Sequence, residues 1–204
     1  MPGPVSTAVN QLLATSVWEM TAVLLSIAYL LLALRENSWC WYCAFVSTVI
    51  YTLLFWDVNL LMQAALNLYY MAMAVYGWQQ WRRGGANHAG LAIRRWPLGR
   101  HLVAVVSVTL LTGISGALLA HNTSATLPYL DSFTTWGSVL TTWMVARKII
   151  ENWLYWIAID SVSIVLYLNT GMYLTALLFA GYVIIVIFGY LAWRKHLELA
   201  DVTV

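Results

Sequence analysis

Seven apolar stretches, each near the length of a bilayer crossing, follow one another through this chain, and that succession leaves few folds open. They run roughly over 15–34, 39–56, 59–81, 101–120, 132–147, 152–169 and 172–193. A spanning helix needs about 20 residues; the second, fifth and sixth stretches are short, and the fifth is the most polar. In hydrocarbon each peptide group must bond within its own segment, so helices are expected. Composition agrees: only 9% of residues are charged, against about 25% in a soluble domain, and the mean hydropathy is +0.75. Pro2, Pro4, Pro97 and Pro128 all lie in tails or loops, so any kink within a span would come from glycine. The residues ahead of the first stretch hold no Lys or Arg, which argues against a cleaved signal peptide.

The basic residues orient the chain. Arg35 follows the first span; Arg82, Arg83, Arg94, Arg95 and Arg100 follow the third; Arg147 and Lys148 follow the fifth; Arg194 and Lys195 follow the seventh. In a seven-span arrangement all ten fall on one side, and the opposite side holds Asp57 and Asp131. The positive-inside rule then places the N-terminus outside and the C-terminus in the cytoplasm. The basic connection between the third and fourth spans reads as a topology determinant that meets anionic lipid. A net charge of +2 gives no reason to expect nucleic acid.

An internal repeat is visible. Glu36-Asn37-Ser38-Trp39-Cys40-Trp41 opens the second span, and Glu151-Asn152-Trp153-Leu154-Tyr155-Trp156 opens the sixth, at an offset of 115. Tyr76-Gly77-Trp78-Gln79-Gln80-Trp81 closes the third span, and Phe188-Gly189-Tyr190-Leu191-Ala192-Trp193 closes the seventh, at an offset of 112. The expected organisation is one transmembrane domain over 1–204, with a three-helix repeat at 15–81, a linker helix at 101–120 and a second three-helix repeat at 132–193. One span separates the copies, so both run in the same direction: two parallel repeats in a three-one-three order, a plan that suits a small transporter.

The polar residues suggest where a solute would sit. Asn152, Trp156, Asp160, Ser163 and Tyr167 recur at helical spacing and share one face of the sixth span. Gln63, Asn67 and Tyr70 share a face of the third. A carboxylate midway along a span is costly against lipid and is expected to face protein or water. The candidate substrate site therefore comprises Trp41, Gln63, Asn67, Tyr70, Asn152, Trp153, Trp156 and Asp160. The aromatic faces can stack on a ring or hold a cation, the amides can pair with hydroxyls or an amide, and Asp160 offers a counter-charge. The alternative roles are structural: interhelical hydrogen bonding for Asn67, Tyr70 and Asp160, and an interfacial aromatic belt for Trp39, Trp81 and Trp193. Glu19 reads equally as a wetted interface residue or a gate. Only Asp160 is deep, so no relay of carboxylates crosses the span and uncoupled uniport is expected.

Other classes fit poorly. A retinal protein needs a lysine inside its last span, whereas Lys148 and Lys195 sit at span ends. An enzyme needs a nucleophile and base in reach; His88, His101, His121 and His196 lie in loops, at span edges or in the tail, and no Gly-x-Ser-x-Gly occurs. Cys40 and Cys43 form a Cys-x-x-Cys pair, but two thiols alone complete no four-ligand zinc site, and packing is their expected role. Neither a metal nor a cofactor is expected.

The three-one-three spans, Asn67-x-x-Tyr70, Trp153-x-x-Trp156 and the Tyr76-Gly77-Trp78-x-x-Trp81 ending together resemble the PnuC family of vitamin transporters, over nearly the whole chain. That resemblance implies a SWEET-like fold, a homotrimer and a place in the bacterial inner membrane. It further implies facilitated diffusion of nicotinamide riboside, trapped afterwards by a cytoplasmic kinase. The SWEET and PQ-loop proteins themselves are not matched, since no Pro-Gln occurs. One position departs: nicotinamide riboside members often carry asparagine four residues after the second tryptophan, where this chain has Asp160. Aspartate there resembles the thiamin-type branch called PnuT. Both vitamins are cationic aromatic heterocycles, so thiamin stays open as the substrate, with riboflavin and deoxynucleosides fitting less well.

Overall fold

The computed structural model describes residues 3–57, 61–85, 89–123 and 126–202. There are eight helices among the described residues: α1 (Pro4–Ala14), α2 (Val17–Leu34), α3 (Cys40–Asp57), α4 (Leu61–Arg83), α5 (Leu98–Asn122), α6 (Pro128–Ala146), α7 (Asn152–Asn169) and α8 (Tyr173–Val202). Among the described residues there is no strand beyond one isolated bridge, between Arg94 and Ile149. Local chemistry sets several of the ends. The Ser16 hydroxyl accepts the Glu19 N–H at 3.1 Å and caps α2. Pro128 stands in the first turn of α6, where its missing N–H leaves nothing unpaired.

Helices α2 to α8 coincide with the seven apolar stretches, and α8 runs on past residue 193. The sequence reading left residues before 15 as a tail; there the structure has α1, packed on α8. Its anchor is Gln11, whose Nε2 donates to Gly171 O at 3.0 Å and whose Oε1 accepts the Leu174 N–H at 3.1 Å. So short a helix gives no signal of a span, and the partner that holds it lies at the far end of the sequence.

By length and composition alone, three helices among the described residues are able to cross a membrane: Val17–Leu34, Leu98–Asn122 and Tyr173–Leu199. Helices α4, α6 and α7 are less apolar because they carry the polar groups described below. The outer surface is apolar. On α5, Leu102, Val103, Leu110, Ile114 and Leu118 are exposed while Ala104 and Gly116 are buried, the reverse of a soluble helix.

Helices α2, α3 and α4 pack in succession, as do α6, α7 and α8; α5 packs on α6. The two groups meet twice, α2 against α8 and α4 against α6. The contacts within and between the two groups recur at a constant spacing. Trp81 Nε1 donates to Val145 O at 3.1 Å, and Trp193 Nε1 to Ala33 O at 3.0 Å. Trp41 meets Trp81 edge-on at 5.4 Å, and Trp153 meets Trp193 edge-on at 5.3 Å. The backbone of Gly77 lies against the Trp41 indole and that of Gly189 against the Trp153 indole; a Cβ at either glycine would collide with the ring. Glu36 and Lys148, which follow α2 and α6, both have left-handed backbone, with φ of 53° and 50°. These two residues are 112 apart in sequence and are joined by an ion pair of 2.7 Å.

Every one of these pairs obeys the spacing of 112. The Glu-Asn match at 115 is therefore a chance likeness: Trp41 answers to Trp153, not Trp156, and Glu36 answers to Lys148. Trp81 and Trp193 also leave the interfacial belt to which they were assigned. They are 5% and 0% exposed and touch each other at 5.9 Å in the core, whereas Trp39 is 65% exposed. Hydrogen bonding of both indoles to helix-end carbonyls draws them inward, which no count of depth along a span reveals.

Candidate functional site

Helix α7 carries its polar residues inward, as their spacing requires. Asn152 is fully buried at its first turn; its Nδ2 donates to Ile149 O at 2.7 Å, and its Oδ1 has no partner among the described residues. Trp153 is buried beside it, and Trp156 packs half-buried against the same core. One turn further, Asp160 is 3% exposed and makes no hydrogen bond or ion pair among the described residues. Ser163 bonds its own helix, donating to Ile159 O at 2.9 Å. Tyr167 stands at the end of the stripe with its ring 5.1 Å from Phe179.

Helix α4 supplies the other wall. Asn67 is buried. Tyr70 stands close to Ser138 on α6, and the adjacent Tyr69 hydroxyl donates to Val139 O at 2.8 Å. Gln63 belongs to α4, but its side chain lies outside the described residues, as does Asn59 at the expected start of the span. Tyr70 and Tyr167 lie within electrostatic reach of each other, so the α4 and α7 stripes face a common interior.

Trp41 is placed differently from Trp156 and Asp160. It is 2% exposed and held between Gly77, Trp81 and Tyr29, whose ring is 5.9 Å away. Trp153 is enclosed in the same way by Gly189 and Trp193. Both anchor the core, and their indole N–H groups remain without partners among the described residues.

Sequence reasoning missed Tyr182. It is the counterpart of Tyr70 in the second group and stands close to Ser26 on α2 and near Asp160. Ser26 in turn bonds Ser47 at 2.8 Å. The Tyr70–Ser138 and Tyr182–Ser26 pairs are thus equivalent, a relation hidden while the repeat was counted partly at 115. The interior they surround is polar and offers hydroxyls, amides and one carboxylate. Among the described residues, no group of three or more His, Cys, Asp or Glu could hold a metal ion, and Cys40 and Cys43 are both free thiols.

At one end of the bundle Glu36 links three elements. It accepts from Lys148 at 2.7 Å, and His196 Nδ1 lies 2.6 Å from its other oxygen. Burial alone would push this carboxyl up; the bonds from Lys148 and His196 outweigh that and hold it below its ordinary value.

An apolar outside and a polar interior between two three-helix groups define a helical membrane transporter. The chain belongs to the nicotinamide mononucleotide transporter family, whose model matches residues 16–195, so the family is one of carriers and not of enzymes. It is similar to the nicotinamide riboside transporter PnuC of Escherichia coli K12, with 28% identity over 171 residues, covering 72% of each chain. It is also similar to the riboflavin/roseoflavin transporter RibM of Streptomyces davaonensis, with 26% identity over 181 residues, 87% of this chain and 84% of the relative. The crystal structure of the vitamin B3 transporter PnuC shares the fold, with a TM-score of 0.71 and 19% identity over 94% of this chain and 87% of that one.

Proposed function

We propose that this chain takes up nicotinamide riboside by facilitated diffusion across the bacterial inner membrane, with a separate cytoplasmic kinase trapping the product. The observation that carries the reading is the buried Asp160, which has no partner among the described residues. An ionised carboxylate in such surroundings is unfavourable by several kcal/mol. A ligand with a cationic ring would recover much of that cost, and Trp156 beside it would add a cation–π contact. Asn67 and Tyr70 then bond the hydroxylated arm. The similarity to a nicotinamide riboside transporter supports the same choice. Thiamin is the second reading, favoured by aspartate rather than asparagine at 160. Riboflavin, which the Streptomyces relative carries by name, lacks the positive ring.

In this reading α2 to α8 are seven spans, with α2–α4 and α6–α8 as parallel repeats and α5 as their linker. The basic residues put the N-terminus in the periplasm and the C-terminus in the cytoplasm, and the assembly is a homotrimer. Reporter fusions after Asp131 and after Lys195 should report outside and inside; the same side for both would refute the span count. The substrate is tested by calorimetry on the purified protein, titrated in parallel with nicotinamide riboside, thiamin, riboflavin and deoxynucleosides. Binding of riboflavin without either cation would replace this proposal with the flavin reading. Proteoliposomes should show uptake and counterflow with no imposed ion gradient; accumulation driven by protons or sodium would overturn uniport.

A further inference from the structure

The two three-helix groups differ at the end where their first and second helices turn. At the α6–α7 turn the chain covers itself. Arg94 N–H donates to Lys148 O at 3.0 Å, Ile150 N–H donates to Arg94 O at 3.0 Å, and Trp96 N–H donates to the Glu151 carboxylate at 3.2 Å. At the equivalent α2–α3 turn of the first group, no segment among the described residues takes that place. The Ser38 N–H, counterpart of the Ile150 N–H, has no hydrogen-bond partner among them. A cavity of about 370 Å³ opens instead, lined by Asn37, Ser38, Trp39, Tyr42, Trp78 and Arg82.

The lining is rich in donors and has no carboxylate. The Arg82 guanidinium lies over the Trp78 ring at 5.7 Å, and Trp78 Nε1 is without a partner among the described residues. The Asn37 Oδ1 already accepts the Trp39 N–H at 3.0 Å, which leaves its amide nitrogen to donate. Glu36, the nearest acid in sequence, is engaged by Lys148 and His196. Such a lining suits an anion, and a guanidinium is the side chain best matched to phosphate. Trp39 and Tyr42 stand 65% and 46% exposed at the rim, the amphipathic aromatic pair expected where a helix meets the headgroup layer. Arg35 and Arg83 lie at the same end of α2 and α4.

We propose that this notch binds the phosphodiester of an anionic phospholipid, with Arg82 as its principal contact. In the first half, lipid then fills the place that the chain's own 94–96 segment fills in the second. The proposal needs only that this end of the bundle meets a membrane surface; it is independent of which vitamin is carried.

The test uses the full chain purified in detergent, with phosphatidylglycerol as probe, phosphatidylcholine as the neutral lipid and inorganic phosphate as the soluble anion. Retained lipid is read by native mass spectrometry and thermal protection by melting. Phosphatidylglycerol should be retained over phosphatidylcholine, and Arg82→Gln should weaken that retention about fivefold. Arg194→Gln, at the counterpart position where the side chain pairs with Glu198, should leave it unchanged. Trp78→Phe, which keeps the aromatic face and removes one donor, gives a second contrast if Arg82→Gln does not fold. Equal retention by wild type and Arg82→Gln, or no preference for phosphatidylglycerol in the wild type, would overturn the proposal. Protection by inorganic phosphate equal to that by phosphatidylglycerol would overturn the lipid as occupant.

Discussion

Helices α2–α4 and α6–α8 are built alike where they pack and unlike in the polar residues they turn inward. The packing elements occur twice: an indole against a glycine, a second indole bonded to the end of a helix in the other group, a left-handed turn, and a tyrosine beside a serine of the other group. The chemical elements occur once. Where α7 has Asp160, α3 has Thr48, whose hydroxyl is shared between Ala44 O and Phe45 O, each at 2.9 Å. Where α4 has Asn67, α8 has Phe179, and where α7 has Trp156, α3 has Ala44. Tyr29 on α2 is answered by Thr141 on α6. The large ring against the core thus comes from the first helix in one group and from the second in the other. A duplicated scaffold gives two groups that fit each other; single-copy polar residues make the interior between them asymmetric.

The comparison breaks most severely if the glycine contacts are not equivalent. Gly77→Leu and Gly189→Leu should each destabilise the protein by about 1–3 kcal/mol, through collision with Trp41 and Trp153, and by similar amounts. Detergent melting measures both; a tolerated substitution at one site alone would end the claim of duplicated packing. Next in size is the single-copy residue. Asp160→Asn should stay folded and lose at least about tenfold, near 1.4 kcal/mol, in affinity for a cationic vitamin, while Thr48→Ala leaves affinity unchanged. Unchanged affinity for nicotinamide riboside and thiamin in a stable Asp160→Asn protein would make the carboxylate structural.

A smaller effect is expected at the inter-group hydrogen bonds. Trp81→Phe and Trp193→Phe each remove one hydrogen bond to a helix-end carbonyl, at Val145 and Ala33, which still accept the Lys148 and Glu36 N–H, and each should cost about 1 kcal/mol. Markedly unequal losses in melting would show that the two junctions carry different loads. Smallest is the ion pair across the two left-handed turns. The Glu36 carboxyl is held below its ordinary value, so its contribution is complete above the unfolded carboxylate range and is lost as pH falls through the folded value. Glu36→Gln should therefore lower the melting temperature at neutral pH, by an amount equivalent to about 1 kcal/mol or less. The gap to wild type should close at strongly acid pH, and a gap that persists there would assign the loss to packing.

Much of this architecture was legible because the bilayer imposes length and polarity on each helix. The seven stretches became α2 to α8, and the inward face of α7 followed from its period of 3.6. The repeat was legible too, but its register was not. Two Glu-Asn dipeptides suggested 115, and no residue-type match says which tryptophan rests on which glycine. That error hid Tyr182 and made Trp156 the twin of Trp41. Helix α1 escaped because its only strong tie is Gln11 to the α7–α8 turn.

By itself, the sequence determined that this chain is helical, that it lives in a membrane, and that Asp160, Asn67 and Tyr70 face inward, since each of these depends on local hydropathy and helical period. Tertiary structure decided what those inward residues meet. It placed Trp41, Trp81, Trp153 and Trp193 in one core, paired Glu36 with Lys148, brought Tyr70 and Tyr182 near Ser138 and Ser26, and left Asp160 without a hydrogen bond or ion pair among the described residues. The reason is physical: an apolar run specifies burial in lipid without choosing a neighbour, whereas the glycine–indole contacts exist only once adjacent helices pack, and the indole–carbonyl hydrogen bonds and the Glu36–Lys148 pair only once two groups of helices, distant in sequence, close on each other.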